Sequence, residues 1–282
     1  LCLSNFITTM VSYFIASFVL ENTALPIILH ASSHNLQPLW QLNLPRIIPN
    51  ELAMFSAFIV GIYLVIKNNK VKHPQGHYQF IKLGSNIATM VLSKIFLPVI
   101  PVFILGFLLK LQYDGILLTL VRNYALLFFV IIAAQFLYVF FLYGIGSNFN
   151  PNQLIRYIKN MLPAGISGFT SMSSAATLPI TLLATEKNMG SQPMPRLVIP
   201  LTVNVHLIGD CIAIPILALA IIHSFNISLP NLSTYCVFAC YFVMAKFAVT
   251  AIPGGGIIVM APVLAKHLSF NAEMVSLITA LY

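Results

Sequence analysis

A short stretch of small residues, Ser173 to Pro179, is the part of this chain whose residue types could hold a ligand. It reads SSAATLP, and long apolar runs lie on either side of it. Serine offers a hydroxyl group and a nearby backbone N–H, and small neighbours would let a ligand approach that backbone. Small residues are also common where membrane helices pack together. The stretch alone therefore leaves ligand binding and helix packing equally open.

The reactive side chains of the sequence do not form a catalytic constellation. Ser173 has no histidine near it in sequence that could act as a general base, so a nucleophilic serine is not indicated. The sequence contains no phosphate-binding loop and no metal-ligand spacing, and its four cysteines include no CxxC pair. We therefore expect a protein that is not an enzyme, with no catalytic residues, no organic cofactor and no metal site of the usual ligand types.

Asp210 is the only acidic residue between Glu186 and Glu273, and it lies in an apolar segment. A carboxylate inside a membrane is costly and is a functional hypothesis by default. His206 precedes it by four residues, so on a continuous helix the two side chains would share a face. Two interpretations stay open, namely a protonatable pair that takes part in ion coupling, and a structural pair or relic of a lost function. A charged Asp210 would repel an anionic substrate, so either Asp210 is protonated or the substrate is not a dicarboxylate.

Two lysines are the other charges within apolar segments. For Lys94 we expect a side chain that extends along the apolar surface and places its ammonium group at the membrane interface. Lys246 lies in the apolar piece that precedes a glycine-rich interruption, and the sequence leaves its role open.

The composition places all of these residues in a lipid bilayer. Of the 282 residues, 59% are hydrophobic and only 7% are charged, whereas a soluble domain carries roughly 25% charged residues. The apolar runs are long and continuous, which predicts transmembrane helices rather than a β-barrel. Topology explains the net charge of +8 better than nucleic-acid binding does, because the basic residues lie in loops. We expect an all-α integral membrane protein that contacts lipid and no nucleic acid.

The elements that must position the candidate residues are interrupted helices. The segments 153–187 and 230–268 each contain two apolar pieces that we judge too short to span a core of ~30 Å, which predicts re-entrant hairpins. The second tip, Ala251 to Gly256, is expected not to be helical. The apolar span 195–224 is interrupted at 204–210 by polar residues and a glycine, and we call it the flawed span. Interrupted segments at matching places in two halves indicate a transporter with inverted repeats, whose tips would present helix N-termini to an anion near the midplane.

The first apolar run, Leu1 to Leu20, has a polar face. Its polar residues recur at helical spacing, so we expect that face to point toward protein and not toward lipid. They are Ser4, Asn5, Thr8, Thr9 and Ser12.

Three motifs resemble the glutamate/dicarboxylate–cation symporter family in this order. Gly168 to Pro179 resembles the first hairpin, Ile199-Pro200-Leu201 before the interruption of the flawed span resembles the seventh helix, and Ile252 to Gly256 resembles the second hairpin tip. The resemblance runs from about the third helix of the family to the start of the eighth and is weak before Pro49. Because residue 1 is Leu and the outer helices of the family have no counterpart, we expect the middle of a longer protein, or a truncated product of one.

The resemblance implies a division of the chain into three parts. Residues 1–79 would be family helices three and four, with parts of the trimerisation scaffold and of the transport unit, and residues 80–150 helices five and six. Residues 151–282 would be the transport core, in which the last helix starts at 271–282. The resemblance also implies a homotrimer in the plasma membrane, expected to be a bacterial inner membrane, whose transport unit moves across the bilayer like an elevator.

The resemblance further assigns roles to individual residues. Ser173 and Ser174 would hold a substrate carboxylate, and the second tip would close over it. The residues implied for substrate binding are Ser173, Ser174, Thr177, Asp210, Pro253, Gly254, Gly255 and Gly256. Those implied for coupling to Na+ or H+ are Thr8, Thr9, Thr202, Asn204, His206 and Asp210.

One departure from the family affects the coupling ion. The seventh helix of the family usually reads Asn-Met-Asp-Gly-Thr, where this chain has His206-Leu207-Ile208-Gly209-Asp210. The carboxylate that helps bind sodium therefore falls on Ile208, which cannot ligate a cation, and the threonine near the substrate falls on Asp210. Asn5 also replaces a tyrosine beside the two threonines implied for sodium. Sodium coupling in the manner of the family is therefore not assured by these residues.

Two functions stay open at this point. The first is a symporter, driven by Na+ or H+, for a small carboxylate such as a dicarboxylate or an acidic or neutral amino acid. The second is a decayed or truncated family member without transport, or an anion-conducting channel. The substrate is not defined, because Met172 stands where some relatives carry an arginine and most of the eighth helix has no counterpart.

Overall fold

The structure is a computed structural model that describes residues 1–22, 117–190, 194–203, 205–249 and 255–282, with isolated residues between 52 and 115. The chain divides into two compact units, Leu1–Leu29 with Ile104–Tyr282, and His30–Phe103. The helices described below all belong to the first unit. In the second unit the described residues are helical.

The described residues form nine α-helices and one 3-10 turn, which confirms the all-α fold class. In chain order the helices are α1 (Cys2–Asn22), α2 (Leu117–Gly146), α3 (Pro151–Ser171), α4 (Ser174–Met189), α5 (Met194–Thr202), α6 (Ile208–Ser224), α7 (Leu232–Ala245), α8 (Gly255–His267) and α9 (Ala272–Leu281). The 3-10 turn, Lys246–Ala248, follows α7 directly.

Two helices are long and apolar enough to cross a bilayer, namely α1 and the stretch Tyr124–Gly146 of α2. Only 11% of the apolar window of the α2 stretch is buried inside the protein, so α2 presents most of its apolar surface outward. In α1 the polar residues Asn5, Thr8, Thr9 and Ser12 are buried, while Leu3, Phe14 and Phe18 are exposed. The expected polar, protein-facing side of α1 is therefore confirmed, and the polar-in, apolar-out arrangement suits a lipid environment.

The core of the first unit is α6. Its sequence is apolar on all sides, which is typical of a helix surrounded by other helices. Nearly every residue from Cys211 to Ser224 is buried, and α6 packs against α1, α2, α8 and α9. Small side chains at Ala218 and Ala220 are fully buried, as is Ala16 of α1. Such small residues allow the close helix contacts on which membrane packing depends.

Buried hydroxyl groups join α1 to α7. The Tyr235 hydroxyl donates to the Thr9 carbonyl at 2.8 Å and lies 3.1 Å from Ser12 Oγ. The Tyr13 hydroxyl donates to the Pro230 carbonyl at 3.0 Å, just before α7 begins. In an apolar interior an unpaired polar group is costly, so these bonds specify which faces of the two helices meet.

The first hairpin consists of α3 and α4, which pack against each other. Asn150 caps α3, because its side chain accepts from the backbone N–H groups of Asn152 and Gln153. At the other end the Met172 backbone is left-handed (φ 50°) and its N–H donates to the Gly168 carbonyl. The base of the hairpin is held by Asn188, which accepts from Asn160 at 2.7 Å and donates to the Tyr157 carbonyl at 3.1 Å.

The helix break of the first hairpin is smaller than the sequence suggested. Only Met172 and Ser173 are non-helical, whereas Ser174 to Pro179 form the start of α4. Alanine favours a helix, and Pro179 removes only the bond to the carbonyl of residue 175. The 21 residues of α3 give a length of about 31 Å at 1.5 Å per residue, but among the described helices α3 is not one of those long and apolar enough to cross a bilayer. That its apolar piece is too short to span the bilayer core therefore stays a prediction. Its polar N-terminal half extends the helix beyond the apolar run.

The flawed span and the second tip also differ in detail from expectation. The backbone leaves the helix after Thr202 and re-enters it at Ile208, so Ile208 to Asp210 are helical. Likewise α8 begins at Gly255, and the expectation that the whole tip up to Gly256 is non-helical is wrong for its last two residues. The first turn of α8 can consist of Gly255 and Gly256 here because a glycine without a side chain lets neighbouring groups approach the helix closely. Asn204, Pro253 and Gly254 lie outside the described residues.

We expect Tyr235→Phe to lower the free energy of unfolding by about 0.5–1.5 kcal/mol, because one buried hydrogen bond is lost while Ser12 still donates to the Thr9 carbonyl. Thermal unfolding in detergent micelles, followed by circular dichroism, measures this change. Tyr143→Phe is the matched control, since the Tyr143 hydroxyl makes no hydrogen bond to any residue that the structure describes. Equal losses in both variants would contradict the assigned role of the Tyr235 hydroxyl.

Candidate functional site

Asp210 lies in the first turn of α6, at the centre of a cluster of polar groups. Its Oδ2 is 2.9 Å from the Lys246 ammonium nitrogen, and its Oδ1 accepts from the Tyr282 hydroxyl at 2.7 Å. The Asp210 side chain is 19% exposed. Both carboxylate oxygens are thus engaged by side chains that come from distant parts of the sequence. We call Asp210, Lys246, Tyr282 and Gly256 the Asp210 cluster.

Lys246 is the member of the cluster whose role the sequence left open. Its side chain is fully buried (0% exposed), and the ammonium nitrogen lies 4.5 Å from the centroid of the Phe242 ring. Burying a lysine charge is strongly unfavourable unless a carboxylate compensates it. The sequence signal that could have predicted this contact is that Lys246 and Asp210 each lie in an apolar segment. Charged residues inside a membrane usually pair with one another.

Gly256 in the first turn of α8 packs directly against this pair. A Cβ atom at residue 256 would lie 2.8 Å from the Tyr282 hydroxyl oxygen and 3.0 Å from Asp210 Oδ2. The helix backbone therefore closes one side of the carboxylate, and only glycine leaves room for the hydrogen bond between Asp210 and Tyr282. The sequence predicted that Gly256 belongs to the tip that closes over the substrate, but it did not predict this contact with Asp210 and Tyr282.

His206 has a partner other than Asp210. Its Nε2 lies 3.1 Å from Ser4 Oγ on α1, and its backbone N–H donates to the Thr202 carbonyl at 2.9 Å. The expectation that His206 and Asp210 share a helix face is wrong, because none of the described residues between Thr202 and Ile208 is helical. Gln135 of α2 donates to the Gly209 carbonyl at 3.2 Å.

The polar face of α1 meets the break before α6. The Asn5 side-chain N–H donates to the Val205 carbonyl at 2.7 Å, whereas its buried Oδ1 has no hydrogen-bond partner among the described residues. Thr9 lies one turn further along and donates to the Asn5 carbonyl, and Thr8 donates to the Ser4 carbonyl and to Tyr138. Buried acceptors without partners are rare in proteins and often mark an ordered water or an ion.

The first hairpin tip presents the N-terminus of α4. The Ser173 side chain accepts from the Ala176 N–H at 3.3 Å and so caps one of the unpaired donors of the first turn. Ser174 is the first helical residue, and Thr177 donates back to the carbonyls of Ser173 and Ser174. The N-terminal N–H groups and the positive end of the helix dipole make this tip suitable for a carboxylate.

The structure thus arranges the candidate residues in three groups. Ser173, Ser174 and Thr177 lie at the first tip, and α4 also packs against α5, with Arg196 paired to Glu186 near the C-terminal end of α4. Asp210 and Gly256 belong to the Asp210 cluster, and Gly255 begins α8 beside them. Thr8, Thr9 and His206 lie where α1 meets the break, and the Thr202 hydroxyl donates to the Ile199 carbonyl within α5.

The sequence model of the sodium:dicarboxylate symporter family matches residues 3–282. Over 185 residues the chain is 28% identical to the serine/threonine transporter SstT of Acinetobacter baumannii (strain SDF), an alignment that covers 64% of this chain and 45% of the relative. The same protein of strain AYE is 27% identical over the same length and shares. The chain therefore spans about half the length of these curated relatives, at 45%.

We expect Gly256→Ala to destabilise the protein by about 1–3 kcal/mol, because the new methyl group must displace Tyr282 or Asp210 from their hydrogen bond. Gly165→Ala in α3 is the matched control, since a Cβ atom there meets nothing within 4 Å. Alanine should stabilise α3 by up to roughly 1 kcal/mol. The two free energies of unfolding are compared in the same detergent, and a neutral Gly256→Ala would contradict the packing described here.

Proposed function

The chain belongs to the sodium:dicarboxylate symporter family, and on that basis we propose that it is a cation-coupled symporter of a small solute that carries a carboxylate. Membership of a transporter family agrees with the expectation that the protein is not an enzyme. The apolar composition and the helices that could cross a bilayer agree with an integral membrane protein.

The observation that carries this proposal is the unpartnered amide oxygen of Asn5. It is buried where the polar face of α1 meets the non-helical residues before α6. The hydroxyl of Thr9 lies one helical turn away. Amide, hydroxyl and carbonyl oxygens are the ligand types that hard cations prefer. In this proposal Asn5 contributes the oxygen ligand that the family carboxylate would have supplied, with the hydroxyl groups of Thr8 and Thr9 on the same helix. Thr202 and Asn204 are proposed as further ligands from the family resemblance, and Asn204 lies outside the described residues.

The solute carboxylate is proposed to bind at the first hairpin tip. Ser173 and Ser174 supply hydroxyl groups and the first-turn N–H groups of α4, whose dipole attracts an anion. Thr177 is proposed to shape the site from the next turn. Pro253, Gly254, Gly255 and Gly256 of the second tip are proposed to cover the bound solute.

A neutral amino acid suits this proposal better than a dicarboxylate. Lys246 compensates the charge of Asp210, so the cluster offers no extra positive charge for a second carboxylate. The relatives are named serine/threonine transporters, which points toward small hydroxylated amino acids for this chain as well. Pairing with Lys246 also removes the need for a protonated Asp210 that the sequence had raised.

The architecture of the family completes the proposal. The segments α3–α4 and α7–α8 are proposed as re-entrant hairpins of two inverted repeats, with residues 151–282 as the transport core. The protein is proposed to work as a homotrimer by elevator motion in a bacterial inner membrane. The alternative is a non-transporting family member or an anion-conducting channel. In the uptake experiment below, either of these would take up no solute.

We expect Asn5→Ala to raise the Na+ concentration for half-maximal uptake by about tenfold, because the loss of one cation ligand corresponds to roughly 1.4 kcal/mol. The measurement is uptake of labelled serine into proteoliposomes at varied external Na+. Asn22→Ala is the matched control on the same helix, since Asn22 is exposed and its side chain donates, among the described residues, only to the Phe18 carbonyl. If both variants keep the Na+ dependence of the wild type, Asn5 is not a ligand.

We expect Ser174→Ala to raise the KM for serine about tenfold or more while the free energy of unfolding changes little. The reason is that Ser174 is proposed to contact the solute carboxylate, and one charge-assisted hydrogen bond is worth roughly 1.5–3 kcal/mol. Ser167→Ala, on the other arm of the same hairpin, should transport like the wild type. Absence of any solute uptake by the wild type, with or without anion conductance, would overturn the proposed symport.

A further inference from the structure

The Asp210 cluster contains a complete ion pair formed by the chain itself. The carboxylate comes from the first turn of α6, and the ammonium group comes from the turn that connects α7 to the second tip. The nitrogen–oxygen distance of 2.9 Å is that of a charge-assisted hydrogen bond. No residue of the proposed Na+ site on α1 contributes to this pair.

The ammonium group of Lys246 is held in the interior. Its side chain is fully buried, with its nitrogen beside the face of the Phe242 ring, and a cation is attracted to such a face. Lys246 sits in a short 3-10 turn whose N-terminal neighbour Ala245 is also fully buried. The charge of Lys246 therefore lies inside the helix bundle at Asp210.

The described residues around Asp210 already engage both of its carboxylate oxygens. Lys246 and Tyr282 occupy one carboxylate oxygen each, and the backbone at Gly256 closes a further side. A free cation would also meet the ammonium group at short range in a medium of low dielectric constant, where like charges repel strongly. A metal cation could approach this carboxylate only after the ammonium group had left.

We propose that the ammonium group of Lys246 is a tethered counter-ion that takes the place of a free metal cation at Asp210, so that this carboxylate binds no Na+ in the intact protein. The bound charge then moves with the chain and is not released on either side of the membrane. The inference rests on the proposed function only for that transport consequence, because the occupancy of the Asp210 cluster can be tested without transport.

The test uses Lys246→Ala, which removes the ammonium group and leaves a cavity beside an uncompensated carboxylate. In choline chloride we expect this variant to unfold well below the wild type. Replacing choline with Na+ at constant ionic strength should raise its Tm by about 5 °C more than it raises that of the wild type, because a ligand bound only by the folded state stabilises it. Addition of n-propylammonium chloride should give a similar recovery, since this amine resembles the deleted side chain.

The control is Lys246→Ala combined with Asp210→Asn, which has neither charge. It should respond to Na+ and to n-propylammonium no more than the wild type does. The proposal is overturned if folded Lys246→Ala shows no extra response to either cation, or if the double variant responds equally. Should Lys246→Ala not fold in choline, Lys246→Met serves instead, because its side chain refills the space and leaves the same unpaired carboxylate.

These outcomes separate the inference from the proposed function. The Tm measurements use purified protein in detergent, so a protein that fails to transport serine still gives a valid answer for Lys246. Conversely, Na+-driven uptake by the wild type together with an unresponsive, folded Lys246→Ala would overturn the tethered counter-ion alone.

Discussion

The arrangement of the helices around α6 depends on the requirement that a charge in an apolar interior must be compensated. Asp210 and Lys246 satisfy that requirement together, and neither side chain can be buried alone without a large cost. Because Lys246 precedes the second tip and Gly256 is its last residue, their contacts with Asp210 hold both ends of that segment close to α6. Tyr282 adds the end of α9 to the same carboxylate. One ion pair thus determines where four elements meet.

The same rule explains the rest of the polar interior. The polar side of α1 faces α6 and α7, where Asn5, Ser12 and Tyr13 find partners in or beside the neighbouring helices. The break before α6 exposes backbone groups that Asn5 and Gln135 then bind. Irregular backbone at membrane depth is tolerated only where other protein groups satisfy it. Among the described residues the amide oxygen of Asn5 is a buried acceptor at this break for which no hydrogen-bond partner is found, and for that reason it carries the proposed cation site.

Sequence patterns predicted much of this architecture because they report local properties. The isolation of Asp210 in an apolar segment marked it as a candidate site residue, and the helical spacing of the polar residues along α1 predicted the buried face of that helix. The position of helix boundaries was less well predicted. Ser174 to Pro179 looked irregular because they are small and end in proline, yet Ser173 caps them and they begin a helix. His206 looked like the partner of Asp210 because the spacing argument assumes a continuous helix, and the helix begins only at Ile208.

The sequence by itself determined the class of the protein, namely an all-α membrane protein with interrupted helices and few charges, because composition and periodicity are readable without any contact. Only the tertiary structure decided what compensates Asp210. Lys246 and Tyr282 are separated from it by 36 and 72 positions in the chain. No local pattern encodes an approach across such distances, since it arises from the packing of α8 and α9 against α6 and of α7 against α8.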